Sequence, residues 1–337
     1  MSKTTWTLLT PPSQGAISII QLAGNVTTTL SQIANRSNWI EGRLYLVDIP
    51  EIDEAVAVQI NNQLAHIMPH GGMQILRKLA KRFSELGIEQ TDEPQFPEAQ
   101  DEIEAVMLKT LSIAESPLAV ELLLKQPEKL RGTTPVEDDL KRAAILNHLI
   151  FPPKVVLLGS PNTGKSTLMN ALTKQDSSIV HDLPGATRDA VGARINCGGL
   201  VLDLYDLPGF RDSDDAVEQE AITIAKKIAT QAILTILIAD DTHDWLAYSD
   251  PATNSGSAAQ VGSEPTWLRA NLAQSQIKIA TKADNQKRTD AALCVSAHTG
   301  ENMQELTLLI RDAIVPSEVL NHDGPWFFPG SYSPTDE

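Results

Sequence analysis

The segment "KVVLLGSPNTGKSTLMNAL", Lys154 to Leu172, sets Gly159, Gly164, Lys165 and Ser166 in a Gly-x4-Gly-Lys-Ser spacing. An apolar run precedes it and an amphipathic one follows, the setting in which this spacing forms a phosphate-binding loop. Glycines let backbone N–H groups approach a β-phosphate, Lys165 supplies charge to β- and γ-oxygens, and Ser166 offers a hydroxyl to Mg2+. Gly159, Asn162, Thr163, Gly164, Lys165, Ser166 and Thr167 are the candidate phosphate-binding residues.

A phosphate loop does not choose a base, so later residues must. Thr281-Lys282-Ala283-Asp284 fits the guanine signature [N/T]KxD. Its carboxylate accepts from guanine N1–H and the exocyclic amine, a donor pair that adenine lacks, and its lysine stem covers the ring. Ser296 and Ala297, in "VSAHTG", fit the companion loop that offers a backbone amide to guanine O6. The predicted ligand is GTP with Mg2+.

Between these motifs lies "DLYDLPGFRDSDDAVEQEAI", Asp203 to Ile222. Asp206 would hold Mg2+ through water, and the Gly209 amide would face the γ-phosphate. In "DLPGATRD", Asp182 to Asp189, Thr187 is the candidate second Mg2+ ligand. The residue after Gly209 is Phe210, where Ras-like GTPases carry the glutamine that orients the attacking water. An aromatic ring cannot do that, so another residue must.

These residues need a frame. From Pro153 onward strand and helix patterns alternate, with strands expected at 154–159, 191–197, 200–206, 232–240, 277–281 and 292–296, and helices at 165–174, 217–230, 265–273 and 301–314. That alternation predicts an α/β fold, a P-loop GTPase domain with a largely parallel sheet, over 153–315. Residues 1–95 combine "AISIIQLA", "RLYLVDI" and "AVAVQI" with the amphipathic "MQILRKLAKRFSELG", a small α+β domain. Residues 98–150 have helical periodicity without strand signals, a partial helical domain in which Thr134, Pro135 and Glu137 form a capping box. The stretch within 241–264 reads as a small, polar surface insertion, and 316–337 as a short tail. His70 reads as a turn histidine capping the next helix, and Arg188 and Arg211 as surface ion-pair residues.

The chain has 337 residues, with 42% hydrophobic and 21% charged, an ordinary globular balance. Its formal charge of −16 repels phosphate backbones, so direct nucleic-acid binding is expected to be weak without a local basic patch or partner. The longest apolar run, "AILTILIA", is short of the roughly 20 residues a bilayer demands, and the start carries no signal-peptide pattern. Cys197 and Cys294 lie in apolar runs and read as core residues in a reducing, cytoplasmic setting.

The motifs together resemble the MnmE (TrmE) family of tRNA-modification GTPases. The chain reads "GSPNTGKS", "GATRD" and "DLPGFRDSDDAVEQEAI" where the family shows GxPNxGKS, a GTTRD-like switch I and DTAGLR with an acidic segment. Its "TPPSQGAISIIQLAGN" is similar to the family opening TPPGxGAIxIIRLSG, and "MPHGG" to xxHGG. The resemblance implies a TrmE-N-like first domain, Asn162 as a K+ ligand, and Glu218, twelve positions after Asp206, as the catalytic residue acting on water. It also implies homodimers through the G domains and the N-terminal domain, and a partner protein in tRNA modification. Two departures accompany it. In the family's folate-binding region Gln14 and Gln21 stand where arginines are usual, a departure that counts against folate binding. The sequence also lacks the second helical half and the Cys-x-Gly-Lys motif, and so reads as a divergent, shortened member. Two other readings remain, an Era-like or Der-like ribosome-assembly GTPase and a non-catalytic guanine-nucleotide-dependent interaction module.

Overall fold

The computed structural model of the chain describes residues 3–10, 16–175, 191–207, 216–243, 245, 275–285 and 287–332, with backbone alone at 175, 191 and 216–222. Gln14, Thr187, Arg188, Gly209, Phe210, Arg211 and the helix expected at 265–273 lie outside the described residues.

In chain order the elements are β1 (Thr5–Leu8), β2 (Ile20–Ala23), α1 (Val26–Ile33), β3 (Leu44–Ile49), β4 (Asp53–Gln59), β5 (Leu64–Met68), α2 (Met73–Glu85), β6 (Glu89–Gln90), α3 (Glu102–Ile113), α4 (Pro117–Leu124), α5 (Gln126–Leu130) and α6 (Glu137–Leu146). Next come β7 (Lys154–Gly159), α7 (Lys165–Gln175), β8 (Val191–Cys197), β9 (Leu200–Asp206), α8 (Ala216–Gln231), β10 (Leu234–Ala239), β11 (Ser275–Ala280), β12 (Leu293–Cys294), α9 (Met303–Ile314) and α10 (Ser317–Leu320). The chain forms two compact units. One comprises Met1–Ala114, Leu123–Gly132 and Pro329–Glu337, the other Glu115–Leu122 and Thr133–Phe328. The helical stretch 98–150 is thus divided between the two.

The first unit holds a six-stranded sheet in the order β3-β4-β5-β2-β1-β6, antiparallel except where β1 pairs β6. Strict alternation in β3 sends Tyr45, Val47 and Ile49 inward and leaves Leu44, Leu46 and Asp48 exposed. The buried face packs with Val26, Leu30 and Ile33 of α1 and Leu79 and Phe83 of α2. Periodicity at 73–87 predicts α2 well. It does not reveal α1, whose "VTTTLSQI" is rich in β-branched threonine; there Thr29 and Ser31 donate to the carbonyls of Asn25 and Thr27 one turn back.

The second unit holds a sheet in the order β12-β11-β10-β7-β9-β8. All pairs are parallel except β8 with β9. Every residue of β10 is buried, as expected of a central strand covered on both faces. Val156, Leu158, Tyr205, Leu207 and Leu237 pack with Ala225 and Ala229 of α8, and α7 lies against β7, β8 and β9. Gly198 and Gly199, with φ of 57° and 92°, make the β8–β9 turn, which requires left-handed backbone at both positions. Leu118 of α4 sits so close to Gly199 that a Cβ there would meet it at 2.6 Å.

Three local expectations need correction. The helix near 134 starts at Glu137 with Val136 as its cap residue, and Asp139 rather than Thr134 makes the capping contact, its carboxylate accepting from the Val136 N–H at 3.1 Å. A carboxylate is the stronger acceptor at a helix start. His70 does not cap α2, whose cap residue is Gly72; its ring and backbone N–H both engage the Asp53 carboxylate, at 2.9 and 2.8 Å. Cys197 is fully buried, but Cys294 is only partly so, its Sγ donating to the Arg288 carbonyl. In the segment after α10, Trp326 and Phe328 are buried, and the Trp326 indole N–H donates to Asn147 Oδ1. Among the described residues, no helix is long and apolar enough to cross a membrane.

Candidate guanine-nucleotide site

β7 delivers Gly159 to the carboxyl edge of the sheet, where open α/β sheets bind ligands. Gly159 is required first by packing, since a Cβ there would sit 2.2 Å from the Ile238 carbonyl of β10. The loop then bends back through two left-handed residues, Asn162 (φ 64°) and Gly164 (φ 91°). The Thr163 hydroxyl, buried, donates to the Ser160 carbonyl at 2.8 Å and pins the bend. α7 starts at Lys165, so the free N–H groups of its first turn end at this loop.

Lys165 Nζ donates to the carbonyls of Gly159 and Ser160 at 2.9 and 3.0 Å. Burial pulls its pKa below the usual lysine range, and the charge of Asp206 opposes that pull. The Ser166 hydroxyl donates to Asp206 Oδ2 at 2.6 Å. This contact joins the start of α7 to the end of β9 and places two hard oxygen groups side by side, the donor set Mg2+ prefers. Thr167 is exposed in the first turn of α7.

The residues expected to read the base meet this loop directly. The buried Thr281 hydroxyl donates to the carbonyls of Thr163 and Ala239. Lys282, itself left-handed at φ 57°, donates from Nζ to the Asn162 carbonyl at 2.9 Å and to Asp240 Oδ2 at 2.6 Å. Asp284 is exposed, and a hydrogen bond from the Ser296 hydroxyl, its own N–H and the charge of His298 hold its carboxyl below the usual carboxylate range. Ser296 is buried, and the Ala283 N–H donates to Val295. The two segments expected to read guanine are therefore one braced unit. Ala297, next to Ser296, is half-buried.

Asp240 was not legible as a site residue in the sequence. The available signal is the first acid of the Asp240–Asp241 pair that closes the apolar strand "LTILIA" at the carboxyl edge of the sheet. Its side chain is fully buried. Burial alone would raise its pKa, but hydrogen bonds from Lys282, His243 and Thr242 outweigh this and hold it well below the carboxylate range. Glu218 is the third residue of α8, and its side chain lies outside the described structure.

In the first unit the residues singled out from the sequence are engaged internally. Gln21 is buried, accepts from the Gln95 N–H at 2.6 Å and donates to the Gln95 carbonyl at 2.8 Å. Its amide also lies 3.3 Å from His66 Nε2. Burial lowers the His66 pKa, against the charge of Glu98.

The family model described as "50S ribosome-binding GTPase" matches residues 154–271. The tRNA modification GTPase MnmE of Acidiphilium cryptum is 38% identical over 159 residues, 47% of this chain and 32% of that protein. MnmE of Prochlorococcus marinus is 30% identical over 271 residues, 80% of this chain and 51% of that protein. The chain thus spans about a third and about half of these relatives' lengths. Among solved structures, the G domain of the T. maritima FeoB iron transporter aligns at 23% identity with a TM-score of 0.30, covering 47% of this chain and 98% of that one.

Proposed function

We propose that the chain is a member of the MnmE/TrmE family, to which its relatives belong, and that it binds GTP and hydrolyses it to GDP and phosphate by in-line attack of water. The observation that carries this is the junction of its two recognition segments, Thr281 and Lys282 bonded to the Thr163 and Asn162 carbonyls. A base held at Asp284 and phosphates held over α7 belong to one ligand. Lys165 would neutralise β- and γ-oxygens, and the Gly209 amide is assigned to the γ-phosphate from its place in the Asp-x-x-Gly motif.

Mg2+ would be held by Ser166 and Thr187, with Asp206 through water; it supplies charge neutralisation between the phosphates. The adjacent oxygens of Ser166 and Asp206 fit that ion. K+ would be held by the exposed carboxamide of Asn162, adding charge where an arginine finger otherwise acts. Glu218 orients the water in place of the glutamine that Phe210 replaces. The switches of two copies would pair to complete the site, and the N-terminal domain would join the dimer.

The relatives' names support a place in tRNA modification, a role proposed to be exercised with a partner protein in the cytoplasm. The charge of −16 favours RNA contact through that partner. With Gln21 committed to Gln95, the first unit is not proposed to bind folate. The testing experiment is GTP hydrolysis in K+, Na+ and Rb+ at matched ionic strength and several protein concentrations. Faster turnover in K+, rising with protein concentration, is expected; equal rates in all three salts would remove Asn162 from the cation role. The matched family model's description favours a second reading, a ribosome-associated GTPase, and nucleotide-dependent co-sedimentation with the large subunit would select it.

A further inference from the structure

The chain between β10 and β11 leaves the sheet through Asp240, Asp241, Thr242, His243 and Trp245, none of which belongs to a nucleotide motif. The two oxygens of Asp240 are divided between two tasks. Oδ1 accepts from the Thr242 N–H at 3.0 Å, the Thr242 hydroxyl at 2.9 Å and the His243 N–H at 2.9 Å, with His243 Nδ1 at 2.6 Å. Oδ2 faces Lys282 Nζ at 2.6 Å. A fully buried carboxylate is tolerated only when paired and hydrogen-bonded. Here the pairing fixes the direction of the ammonium that also holds the Asn162 carbonyl.

A second clamp keeps Asp240 in place. Arg288 donates to the carbonyls of Asp240 at 2.9 Å and His243 at 2.7 Å. Asp290 orients Arg288 through Nε at 2.9 Å and a terminal nitrogen at 2.8 Å, and accepts from the Trp245 indole at 2.6 Å. The guanidinium lies 4.7 Å from the centre of the Trp245 ring, and Lys278 Nζ of β11 lies 5.6 Å from it. The root of the β10–β11 connection is thereby tied to the segment following Asp284 at both its turn and its indole.

We propose that Asp240 is a positioning residue for guanine recognition: it sets Lys282 over the base, and Arg288 holds Asp240 in register. This rests on the guanine-nucleotide reading above. Asp240 is fully buried and acts through Lys282, so its contribution must vanish when the ammonium is gone.

The test is a double-mutant cycle on GDP affinity, by titration of the full chain, with Asp240→Asn, Lys282→Met and the double variant. Lys282→Met keeps the apolar stem and removes the charge. Asp240→Asn is expected to weaken GDP about tenfold in the wild-type background and less than about twofold in the Lys282→Met background, the non-additivity of residues acting as a pair. Arg288→Gln, which leaves the buried carboxylate intact, is expected to weaken GDP about threefold with the same dependence on Lys282, and it carries the test should Asp240→Asn fail to fold. Equal losses in both backgrounds, or no loss in either, would overturn the proposal. Equal affinity of the wild type for GDP and ADP would overturn the guanine reading itself, an outcome visible before any variant is made.

Discussion

The two units treat their conspicuous polar residues in opposite ways. In the second unit Lys165, Ser166, Asp206, Lys282 and Asp284 converge on one edge of a mostly parallel sheet, where Lys165 and Lys282 bond the carbonyls of a loop built on left-handed backbone and Ser166 bonds Asp206. In the first unit Gln21 and His70, equally noticeable in the sequence, spend their hydrogen bonds on Gln95 and Asp53. Polar residues mark a candidate ligand site when several elements bring them to one edge of a sheet, even though each already has a partner in the chain. An isolated pair such as Gln21–Gln95 or His70–Asp53, with no such convergence, marks a structural joint.

That contrast is sharpest under substitution. Lys165→Ala should reduce GTP affinity by about 10²-fold or more, because a charge-assisted contact to the phosphates is lost, while the melting temperature stays within a few degrees. Near-normal GTP affinity by titration calorimetry would break the comparison at its strongest point. Asp284→Asn should weaken GTP by about 10²-fold and let xanthosine triphosphate compete, since the amide presents a donor that complements the xanthine carbonyl; unchanged GTP affinity would remove Asp284 from the base. Glu218→Ala should keep affinity within about threefold and cut K+-stimulated turnover by roughly 10²-fold. Single-turnover hydrolysis at the wild-type rate would make Glu218 a helix-start acid and nothing more.

The first unit should respond in the opposite sense. Gln21→Ala leaves the Gln95 N–H and carbonyl without their side-chain partner and should destabilise that unit by about 1–3 kcal/mol, seen in denaturant unfolding, with no change in GTP affinity. The smallest effect concerns acid. Burial would raise the Asp53 carboxyl, but the His70 backbone and ring contacts hold it below its ordinary value. Its contribution is therefore present above about pH 4 and is lost as pH falls through the folded pKa. His70→Ala should lower the stability of the first unit by about 1 kcal/mol or less at neutral pH and flatten that acid dependence, measurable by melting between pH 3 and 7.

Legibility in the sequence followed the same divide. β7, β8 and β9 are found at the predicted bounds because apolar runs flank glycines whose positions are set by close approach, as at Gly159 against Ile238. β10 and β12 are shorter than predicted, and β11 ends one residue earlier and starts two earlier, because its first residues, Ser275 and Gln276, are too polar to read as strand. In the first unit "TWTL" at β1 and "LAHIM" at β5 are too short or too polar to stand out, and α1 forms against the propensity of its threonines because Val26, Leu30 and Ile33 complete the core. The sequence does not mark Asp240, because the lysine it pairs with lies 42 residues away. No local pattern encodes that pairing.

The account turns on a single site that reads guanine and phosphate together, and titration of the wild-type chain with GTP and with ATP, both with Mg2+, tests it most directly. The account predicts saturable binding of GTP and at least about 10²-fold weaker binding of ATP, since adenine lacks the donor pair that Asp284 accepts. Equal affinity for the two nucleotides, or no binding of GTP, would contradict it.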